Sequence, residues 1–468
     1  MTSPGEPPDQ SQTKTIDKKD EQPQLARRLG LFDATMIVMG GIIGSGIFIN
    51  SYVVARQVHS PLLVLGAWAA GGLIALAGAF IYAELSALRP QVGGQYAYIR
   101  EAFHPMPAFL YGWTLLLVTQ TGGMAAVAVT FAKYFTELAH LPATDWTSAV
   151  IASTVLALLT IINCLGVRAG SSVQSALMVM KILAIVALIA CGLLLAGHST
   201  GSVVINRADD WQPSPEYLSP ASNWQLITAF GAALVPVLFA YGGWQTSCFV
   251  AGEVREPRKN LPRGLLIGVM SVIVIYLTVN YVYTSVLGVD ALAQTTTPAT
   301  EVMGLALGEK GKAIIAIGIT ISTLGFLSQG MLTAPRVYFA MADDRLFFKS
   351  VAWLHPTTRV PVVAICLQGV LAIVIALSGS YNQILNYVVS VDSIFFGLTA
   401  ACIFVLRRKG TGSFRVPGHP VTTLLFIIVE WLVGLNTIYK YPANSAVGLV
   451  ILLMGIPVYF FWQQRNKR

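Results

Sequence analysis

Four glycines interrupt the first apolar stretch of the chain, in the sequence Gly-Gly-Ile-Ile-Gly-Ser-Gly-Ile-Phe at residues 40–48. Within a helix each glycine costs about 1 kcal/mol relative to alanine. In hydrocarbon a backbone N–H or C=O without a partner costs several kcal/mol, so non-helical backbone occurs at bilayer depth only where it is buried in protein or lines a cavity. These glycines therefore predict a broken membrane span that contains a binding site.

The composition places most of the chain in a membrane. Of the 468 residues, 55 % are hydrophobic and only 11 % are charged, and the mean hydropathy is +0.66. A soluble globular protein has about 25 % charged residues. The chain is therefore predicted to be an all-α integral membrane protein. Residues 1–30 are polar and lack apolar periodicity, which indicates a disordered tail.

Apolar stretches of about 18 residues or more indicate transmembrane helices. The sequence contains twelve, with approximate limits 31–55, 62–88, 104–133, 146–165, 170–197, 224–251, 262–288, 311–342, 360–378, 383–406, 421–439 and 444–463. An even number puts both termini on one side, and the segments on that side carry 22 of the 30 lysines and arginines. By the positive-inside rule both termini are cytoplasmic. The same bias accounts for the net charge of +8 without a nucleic acid partner, and a basic surface of this kind is attracted to anionic lipid headgroups.

A second glycine pair, Gly242 and Gly243, interrupts the sixth predicted span. The first and sixth spans correspond if spans one to five and six to ten are repeats, and because five is odd the second repeat is inverted. Paired glycine-interrupted spans indicate a transporter site near the midplane, whereas isolated glycines more often only pack helices together. The predicted organisation is a tail at 1–30, a first repeat at 31–197, an extracellular loop at 198–223, a second repeat at 224–406, and two further spans with a cytoplasmic C-terminus at 407–468.

Five motifs together resemble the amino acid–polyamine–organocation (APC) superfamily. They are Gly-Ile-Ile-Gly-Ser-Gly-Ile-Phe at 41–48, Tyr-Ala-Glu-Leu at 82–85, Gly-Gly-Gln-Tyr at 93–96, Phe-Ala-Tyr-Gly-Gly-Trp at 239–244, and Glu-Val-Arg-Glu-Pro-Arg-Lys-Asn-Leu-Pro at 253–262. The resemblance covers about residues 27–463. The L-type amino acid transporters and their bacterial relatives are the most similar branch.

The resemblance implies a fold of twelve transmembrane helices, with a five-plus-five inverted repeat and two added helices, and transport of amino acids by alternating access. It implies that the N–H groups of Gly44, Ser45 and Gly46 hold the substrate carboxylate and that the carbonyls of Ile42 and Phe239 receive the ammonium. The dipoles of the broken helices favour the same orientation. The predicted substrate-binding residues are Ile42, Ile43, Gly44, Ser45, Gly46, Phe239, Ala240, Tyr241, Gly242, Gly243 and Gln245.

One lysine lies deep within the fifth predicted span. Lys181 is at least 11 residues from either end of the stretch 170–197, which is roughly 16 Å along a helix and too far for its amine to reach an interface easily. The resemblance implies that this ammonium replaces a sodium ion beside the first and eighth spans, near Ser322 and Thr323. Lys181 is therefore predicted to be an ion-site substitute or a coupling residue, and transport is predicted to be sodium-independent.

The side-chain pocket is predicted from spans three, six, eight and ten, at Thr121, Gly122, Gly123, Gln245, Ser328, Val391, Ser393 and Phe395. These mostly small, uncharged residues favour exchange or uniport of neutral L-amino acids. Asp392 is the exception, because an intramembrane carboxylate either attracts a cationic side chain, titrates during transport, or makes an interhelical hydrogen bond. Exchange or proton-coupled transport of cationic amino acids or polyamines is therefore the alternative. Glu430 receives no role.

Other function classes lack their signatures. Neither HExxH nor GxSxG is present, and the six histidines fall in loops or at span edges, so the sequence disfavours an intramembrane enzyme. No filter or charged pore stripe indicates a channel. The five cysteines have no metal-ligand spacing, and neither a metal nor a cofactor is predicted.

The expected partners are the amino acid substrate and the lipids of the plasma (cell inner) membrane. Heteromeric members of the resembled family carry a cysteine between spans three and four, but residues 135–146 contain none, so no disulfide-linked heavy chain is expected. Glu84 and Glu253 are predicted to pair with basic loop residues in a cytoplasmic gate. Arg336 is predicted to face the cytoplasmic vestibule.

Overall fold

The computed structural model describes residues 25–142, 144–196, 223–378, 381–410, 412 and 414–467. Within these residues the regular structure is helical, and extended backbone pairs only in an isolated bridge between Leu29 and Val254. The all-α prediction is confirmed for this part of the chain. The predicted tail up to residue 24 and the predicted extracellular loop from residue 198 to 222 lie outside the described residues.

Seventeen α-helices follow one another along the described residues: α1 (Leu31–Ile42), α2 (Gly46–Val58), α3 (Pro61–Leu88), α4 (Gln95–Ala102), α5 (Pro105–Thr114), α6 (Gln120–Leu138), α7 (Asp145–Cys164), α8 (Val167–Cys191), α9 (Asn223–Tyr241), α10 (Pro257–Gln294), α11 (Pro298–Leu307), α12 (Glu309–Thr333), α13 (Pro335–Asp343), α14 (Val362–Ser378), α15 (Tyr381–Leu406), α16 (Val421–Lys440) and α17 (Pro442–Lys467). Short π-helical turns occupy Leu115–Thr119 and Gly192–Ala196. Short 3-10 helices occupy Trp244–Glu253, Lys349–Ala352 and Arg407–Lys409.

Ten helical segments of the described residues are long and apolar enough to cross a membrane, and the bent pair α1 and α2 makes eleven. Some segments join several elements. For example, α5, the following π-helical turn and α6 form one segment, Pro105–Leu138. The helix α14 is apolar but shorter. The chain is therefore a multi-pass membrane protein, whereas the count of twelve spans stays a prediction.

Several helices begin where a polar side chain caps them. Ser60 precedes α3 and accepts a hydrogen bond from the Leu63 N–H at 3.4 Å, and Pro61 occupies the first helical position, where its missing N–H costs nothing. Thr144 caps α7 by accepting from the Thr147 N–H at 3.1 Å. The short helices α4 and α11 lie between predicted spans and were not indicated by apolar periodicity.

Helices at corresponding positions of the two predicted repeats pack against each other. The contacts join α3 to α10, α6 to α12, and α7 to α14. The two broken segments also meet, because α1 contacts the 3-10 helix that follows α9, and α2 contacts α9. Trp68, Tyr241 and Tyr276 pack in one aromatic cluster beside this crossing, with ring centroids 5.0 to 5.8 Å apart. The two breaks therefore lie side by side within the helical core.

Candidate substrate site

The first predicted break is present in the structure. The helix α1 ends at Ile42, α2 begins at Gly46, and the two axes differ by 41°. Ile43 between them has extended backbone, with φ −76° and ψ 95°. Because one helix ends and another begins here, the last carbonyls of α1 and the first N–H groups of α2 have no hydrogen-bond partner within their own helix. The Ser45 side chain does not cap α2, so these N–H groups are available to a ligand.

Three consecutive carbonyls of this break are each bound by a side chain from a different helix. Ile42 accepts from the Tyr276 hydroxyl of α10 at 3.1 Å, Ile43 from the Lys181 amine of α8, and Gly44 from the Ser322 hydroxyl of α12 at 3.0 Å. A carbonyl oxygen has two lone pairs, so Ile42 can still accept a bond from a ligand. Side chains of the protein thus compensate for most of the backbone bonds that the break removes.

The second predicted break follows α9, which ends at Tyr241. Gly243 has φ +101°, which is a left-handed conformation that favours glycine, and a 3-10 helix begins at Trp244. The Gly242 N–H donates to the Phe239 carbonyl at 3.2 Å, and the Gly243 N–H donates to the Gln245 side-chain oxygen at 3.0 Å. The Gln245 amide therefore stabilises the break itself.

The two breaks cross in direct backbone contact. A Cβ atom at Gly41 would lie 2.5 Å from the Gly243 carbonyl oxygen, and a Cβ atom at Gly243 would lie 2.1 Å from the Gly41 carbonyl oxygen. Both distances are too short for any side chain. The Tyr276 hydroxyl joins the same two segments, because it also lies 3.2 Å from the Ala240 carbonyl oxygen.

A cavity of about 120 Å³ opens at this crossing. Ten of the eleven predicted substrate-binding residues line it: Ile42, Gly44, Ser45, Gly46, Phe239, Ala240, Tyr241, Gly242, Gly243 and Gln245. Ile43 does not line the cavity, because its carbonyl points to Lys181 on the side of α8. The structure thus brings the predicted residues together, and their contacts with substrate stay a prediction.

The predicted pocket wall is only partly correct. Gly123, Gln245 and Ser393 line the cavity, but Thr121, Gly122, Ser328, Val391 and Phe395 do not. On α6 the lining residues are Gln120, Gly123 and Val127, and on α15 they are Val388, Val389, Asp392, Ser393 and Phe396. The π-helical turn at Leu115–Thr119 adds a residue to the turn before α6 and rotates its face, which a regular helical period does not anticipate.

Lys181 is fully buried, as predicted, and its amine donates to the break. A Cβ atom at Gly325 of α12 would lie 3.2 Å from this amine, so glycine leaves the space that the lysine occupies. Ser322 also contacts the break, but the Thr323 hydroxyl bonds to the carbonyls of Ile319 and Thr320 in its own helix. Of the two predicted hydroxyl neighbours, only Ser322 therefore reaches the broken span.

The sequence analysis missed three residues of the site. Tyr276 contacts both breaks, and Gln329 donates to the Thr246 hydroxyl at 2.5 Å, which itself donates to the Gly243 carbonyl at 2.6 Å. Glu430, which had no role, lines the cavity from α16 together with Asp392. A buried glutamate in an apolar span was the one signal that could have identified it.

Glu84 and Glu253, the two carboxylates predicted to form a gate, are each paired with an arginine. The Arg407 guanidinium binds both oxygens of Glu84 at 2.5 and 2.6 Å, and the Val416 N–H donates to the same carboxylate. Arg336 binds both oxygens of Glu253 at 3.0 and 2.9 Å, with side chains 1 % and 0 % exposed. Arg336 was predicted to face the cytoplasmic vestibule, but it is buried against Glu253, which therefore pairs with a helical residue and not with the predicted basic loop residue.

Comparison with known proteins agrees with this geometry. The model of a family described as amino acid permease matches residues 29–462. The serine/threonine exchanger of Bacillus subtilis is 28 % identical over 451 residues, which cover 94 % of this chain and 98 % of that protein. The human large neutral amino acids transporter small subunit 2 is 29 % identical, with coverage of 95 % and 82 %. The mouse b(0,+)-type amino acid transporter 1 is 27 % identical, with coverage of 95 % and 91 %.

All three relatives are named as exchangers or transporters, which confirms the interpretation of this chain as a transporter instead of an enzyme. The family match covers both breaks, Lys181 and all the helices that line the cavity. The chain belongs to the amino acid permease family of the amino acid–polyamine–organocation superfamily, and it is an amino acid transporter.

Proposed function

We propose that this protein is a sodium-independent secondary transporter that moves neutral L-amino acids across the plasma (cell inner) membrane by alternating access. The observation that carries the proposal is the cavity at the crossing of the two breaks. The residues that line it include those at the start of α2, which carry free N–H groups, and those at the ends of α1 and α9, which carry carbonyl groups. A zwitterion needs donors for its carboxylate and acceptors for its ammonium. The crossing supplies both at one place.

In this proposal the substrate carboxylate binds the N–H groups of Gly44, Ser45 and Gly46. Gly46 is the first residue of α2 and the other two directly precede it, at the helix end where the dipole contributes about +0.5 charge. The ammonium binds the carbonyls of Ile42 and Phe239, near the negative ends of α1 and α9. Each of these two carbonyls already accepts one bond and has a second lone pair for the ligand.

The remaining cavity wall favours a neutral side chain. Most of its lining is apolar: Ile74, Leu115, Val127, Leu238, Phe239, Phe326, Val388, Val389, Phe396 and Val433. Apolar side chains gain about 25 cal/mol for each Å² removed from water. The Lys181 amine occupies the back of the first break and donates to the Ile43 carbonyl, which is the reason for proposing that no sodium ion is needed.

The contacts between helices support twelve spans and a five-plus-five inverted repeat. A two-fold axis between two repeats makes corresponding helices neighbours, as α3 is to α10 and α6 to α12. In this arrangement the repeats occupy 31–197 and 224–406, an extracellular loop occupies 198–223, and residues 407–468 add the last two spans and the C-terminus. The lysine and arginine bias places both termini in the cytoplasm.

We also propose that the transporter works without a disulfide-linked heavy chain. One relative is named as a small subunit, which implies a partner for that protein. This chain has no cysteine between residues 135 and 146. Denaturing electrophoresis of the membrane-extracted protein without reductant should therefore show one band at the mass of the single chain.

Competition in proteoliposomes tests the proposed substrate class. Unlabelled leucine and alanine should reduce the uptake of labelled leucine more strongly than arginine does. The carboxyls of Asp392 and Glu430 in the cavity wall make cationic amino acids the second candidate. If arginine competes best, and loses that advantage in Asp392→Asn, the assignment to neutral substrates is wrong.

A further inference from the structure

Two carboxyl groups share one wall of the substrate cavity. Asp392 comes from α15 and Glu430 from α16, which pack against each other. Glu430 is only 8 % exposed, and Asp392 is partly buried. Among the described residues neither carboxyl has an ion-pair partner, whereas Arg336 and Glu253, for example, bind each other. The helix α16 lies outside the predicted repeats, yet it supplies part of the cavity wall.

No positive charge of the described residues faces this pair. The cavity lining contains no lysine, arginine or histidine, and the Lys181 amine is engaged with the Ile43 carbonyl. The Thr119 hydroxyl faces Asp392 from the turn before α6, is 7 % exposed, and has no hydrogen bond of ordinary geometry in the described part of the chain. A buried donor, the buried carboxyl of Glu430 and the partly buried carboxyl of Asp392 are thus left to a mobile ligand.

The other titratable groups around the pair are neutral. Tyr82 of α3 lies within electrostatic range of Glu430, and Tyr111 of α5, whose hydroxyl donates to Gln95, lies within electrostatic range of Asp392. Tyr241 of α9 lines the same cavity, and the thiol of Cys402 lies near Tyr82. The basic residues of α16 and α17 are at their ends, at Lys440, Arg465 and Lys467. Phenols and thiols can donate or accept a hydrogen bond, but they supply no counter-charge.

An ionised carboxylate buried without a partner is costly, and two neighbouring carboxyls cannot both ionise easily. A neutral amino acid brings no net charge to balance them. We propose that Asp392 and Glu430 together bind one transported proton, which makes this protein a proton symporter of neutral amino acids instead of an exchanger or uniporter. This inference rests on the proposed function and adds the coupled ion to it.

The proposed step is a proton transfer only. In the outward-facing form, one carboxylate oxygen of the pair takes a proton from external water. The substrate then binds at the breaks, which share the cavity with the pair. In the inward-facing form, the proton returns to cytoplasmic water and the pair recovers its negative charge. Each cycle therefore moves one positive charge with one zwitterion.

Accumulation against a pH gradient tests the inference. The assay uses proteoliposomes in which valinomycin and equal potassium concentrations hold the membrane potential at zero, with an external pH one unit lower than the internal pH. The wild type should then concentrate labelled leucine or alanine about tenfold inside the vesicles, since one pH unit is a tenfold ratio of proton concentrations. Glu430→Gln and Asp392→Asn should each abolish this accumulation. Glu137→Gln, which changes an exposed carboxylate at the end of α6, should accumulate substrate as the wild type does.

The outcomes separate the inference from the function on which it depends. If the wild type shows no counterflow of leucine or alanine, the proposed function fails. Counterflow without accumulation, or accumulation that persists in both carboxyl variants, overturns the proton site alone. A variant that lost only competition by arginine would instead make the pair a subsite for cationic side chains. A pH dye inside wild-type vesicles should report acidification when leucine is added, and this readout does not depend on how the variants fold.

Discussion

At the scale of single residues, the cavity wall contains one position where a side chain can be added without a clash. A Cβ atom at Gly123 of α6 would meet no atom within 4 Å, although the residue lines the cavity. Most other glycines around the breaks touch backbone or packed side chains. Gly123 therefore offers a direct test of where the substrate side chain lies.

We expect Gly123→Leu to fill the pocket and select against large substrates. The side chain of the substrate leucine would then no longer be buried, and this burial is worth about 1.5–3 kcal/mol. Uptake of leucine should therefore fall at least about tenfold relative to uptake of alanine. Initial rates for both substrates in proteoliposomes measure this ratio. Gly231→Leu is the matched control, because its Cβ also meets open space and it does not line the cavity. An unchanged ratio in Gly123→Leu would place the substrate elsewhere.

Lys181→Ala should lower both stability and transport. The change removes a charged donor from the Ile43 carbonyl, and hydrogen bonds to charged groups contribute about 1.5–3 kcal/mol. Wild-type uptake should be equal in sodium and potassium media. Lys312→Ala is the control, since this exposed lysine pairs only with Glu309 at the surface. A Lys181→Ala protein with wild-type rate and pH profile would exclude both proposed roles of the amine.

At the scale of the helices, one hydroxyl connects three of them. Tyr276 of α10 lies within hydrogen-bond distance of Ile42, at the end of α1, and of Ala240, near the end of α9. Asn50 of α2 adds a second link, because its amide donates to the Pro236 carbonyl of α9 at 2.9 Å. The broken segments are thus joined to each other by side chains as well as by their crossing.

We expect Tyr276→Phe to destabilise the protein by about 1–3 kcal/mol, since a buried carbonyl loses its donor while the aromatic packing is kept. Thermal unfolding in detergent, with and without substrate, measures the loss. Tyr281→Phe removes a hydroxyl from the same helix at a position that is 40 % exposed, and it should leave the melting temperature unchanged. Equal melting temperatures of the two variants would show that the Tyr276 hydroxyl does not support the breaks.

Both breaks could be predicted from the sequence, because glycines interrupt the first span at Gly41, Gly44 and Gly46 and the corresponding sixth span at Gly242 and Gly243. Which residues of the neighbouring helices face the cavity could not be predicted. The π-helical turn at Leu115–Thr119 has no distinct residue pattern, and its extra residue changes which face of α6 meets the cavity. Glu430 was missed for a different reason, since it belongs to a span that the predicted repeat treats as peripheral.

At the scale of the whole molecule, one buried ion pair joins parts of the chain that are far apart in sequence. Arg336 and Glu253 lie between α13 and the 3-10 helix after the second break, and the Glu253 carbonyl accepts from the N–H groups of Arg28 and Leu29. The pair therefore connects the chain before α1 with two separate elements of the second predicted repeat. A motion that separates these elements must break the ion pair and the backbone contacts together.

Replacing one partner of this pair should lower the free energy of unfolding by about 3–5 kcal/mol, because the other partner is left as an uncompensated buried charge. We expect Glu253→Gln and Arg336→Met each to lower the melting temperature strongly, and the double variant to lose less than the sum of the two. Lys259 and Glu256 form an exposed pair at 3.7 Å, and the same cycle there should give about 0–1 kcal/mol. Additive losses at Arg336 and Glu253 would contradict the pairing.

The backbone contact between Gly41 and Gly243 has a genetic consequence. The atom that a new Cβ would meet at either position is a carbonyl oxygen of the other segment, which every amino acid carries. No change of a neighbouring side chain can make room for it. A loss-of-transport allele with alanine at either position should therefore yield only true revertants to glycine under selection, whereas alleles at positions packed against side chains should also yield second-site suppressors.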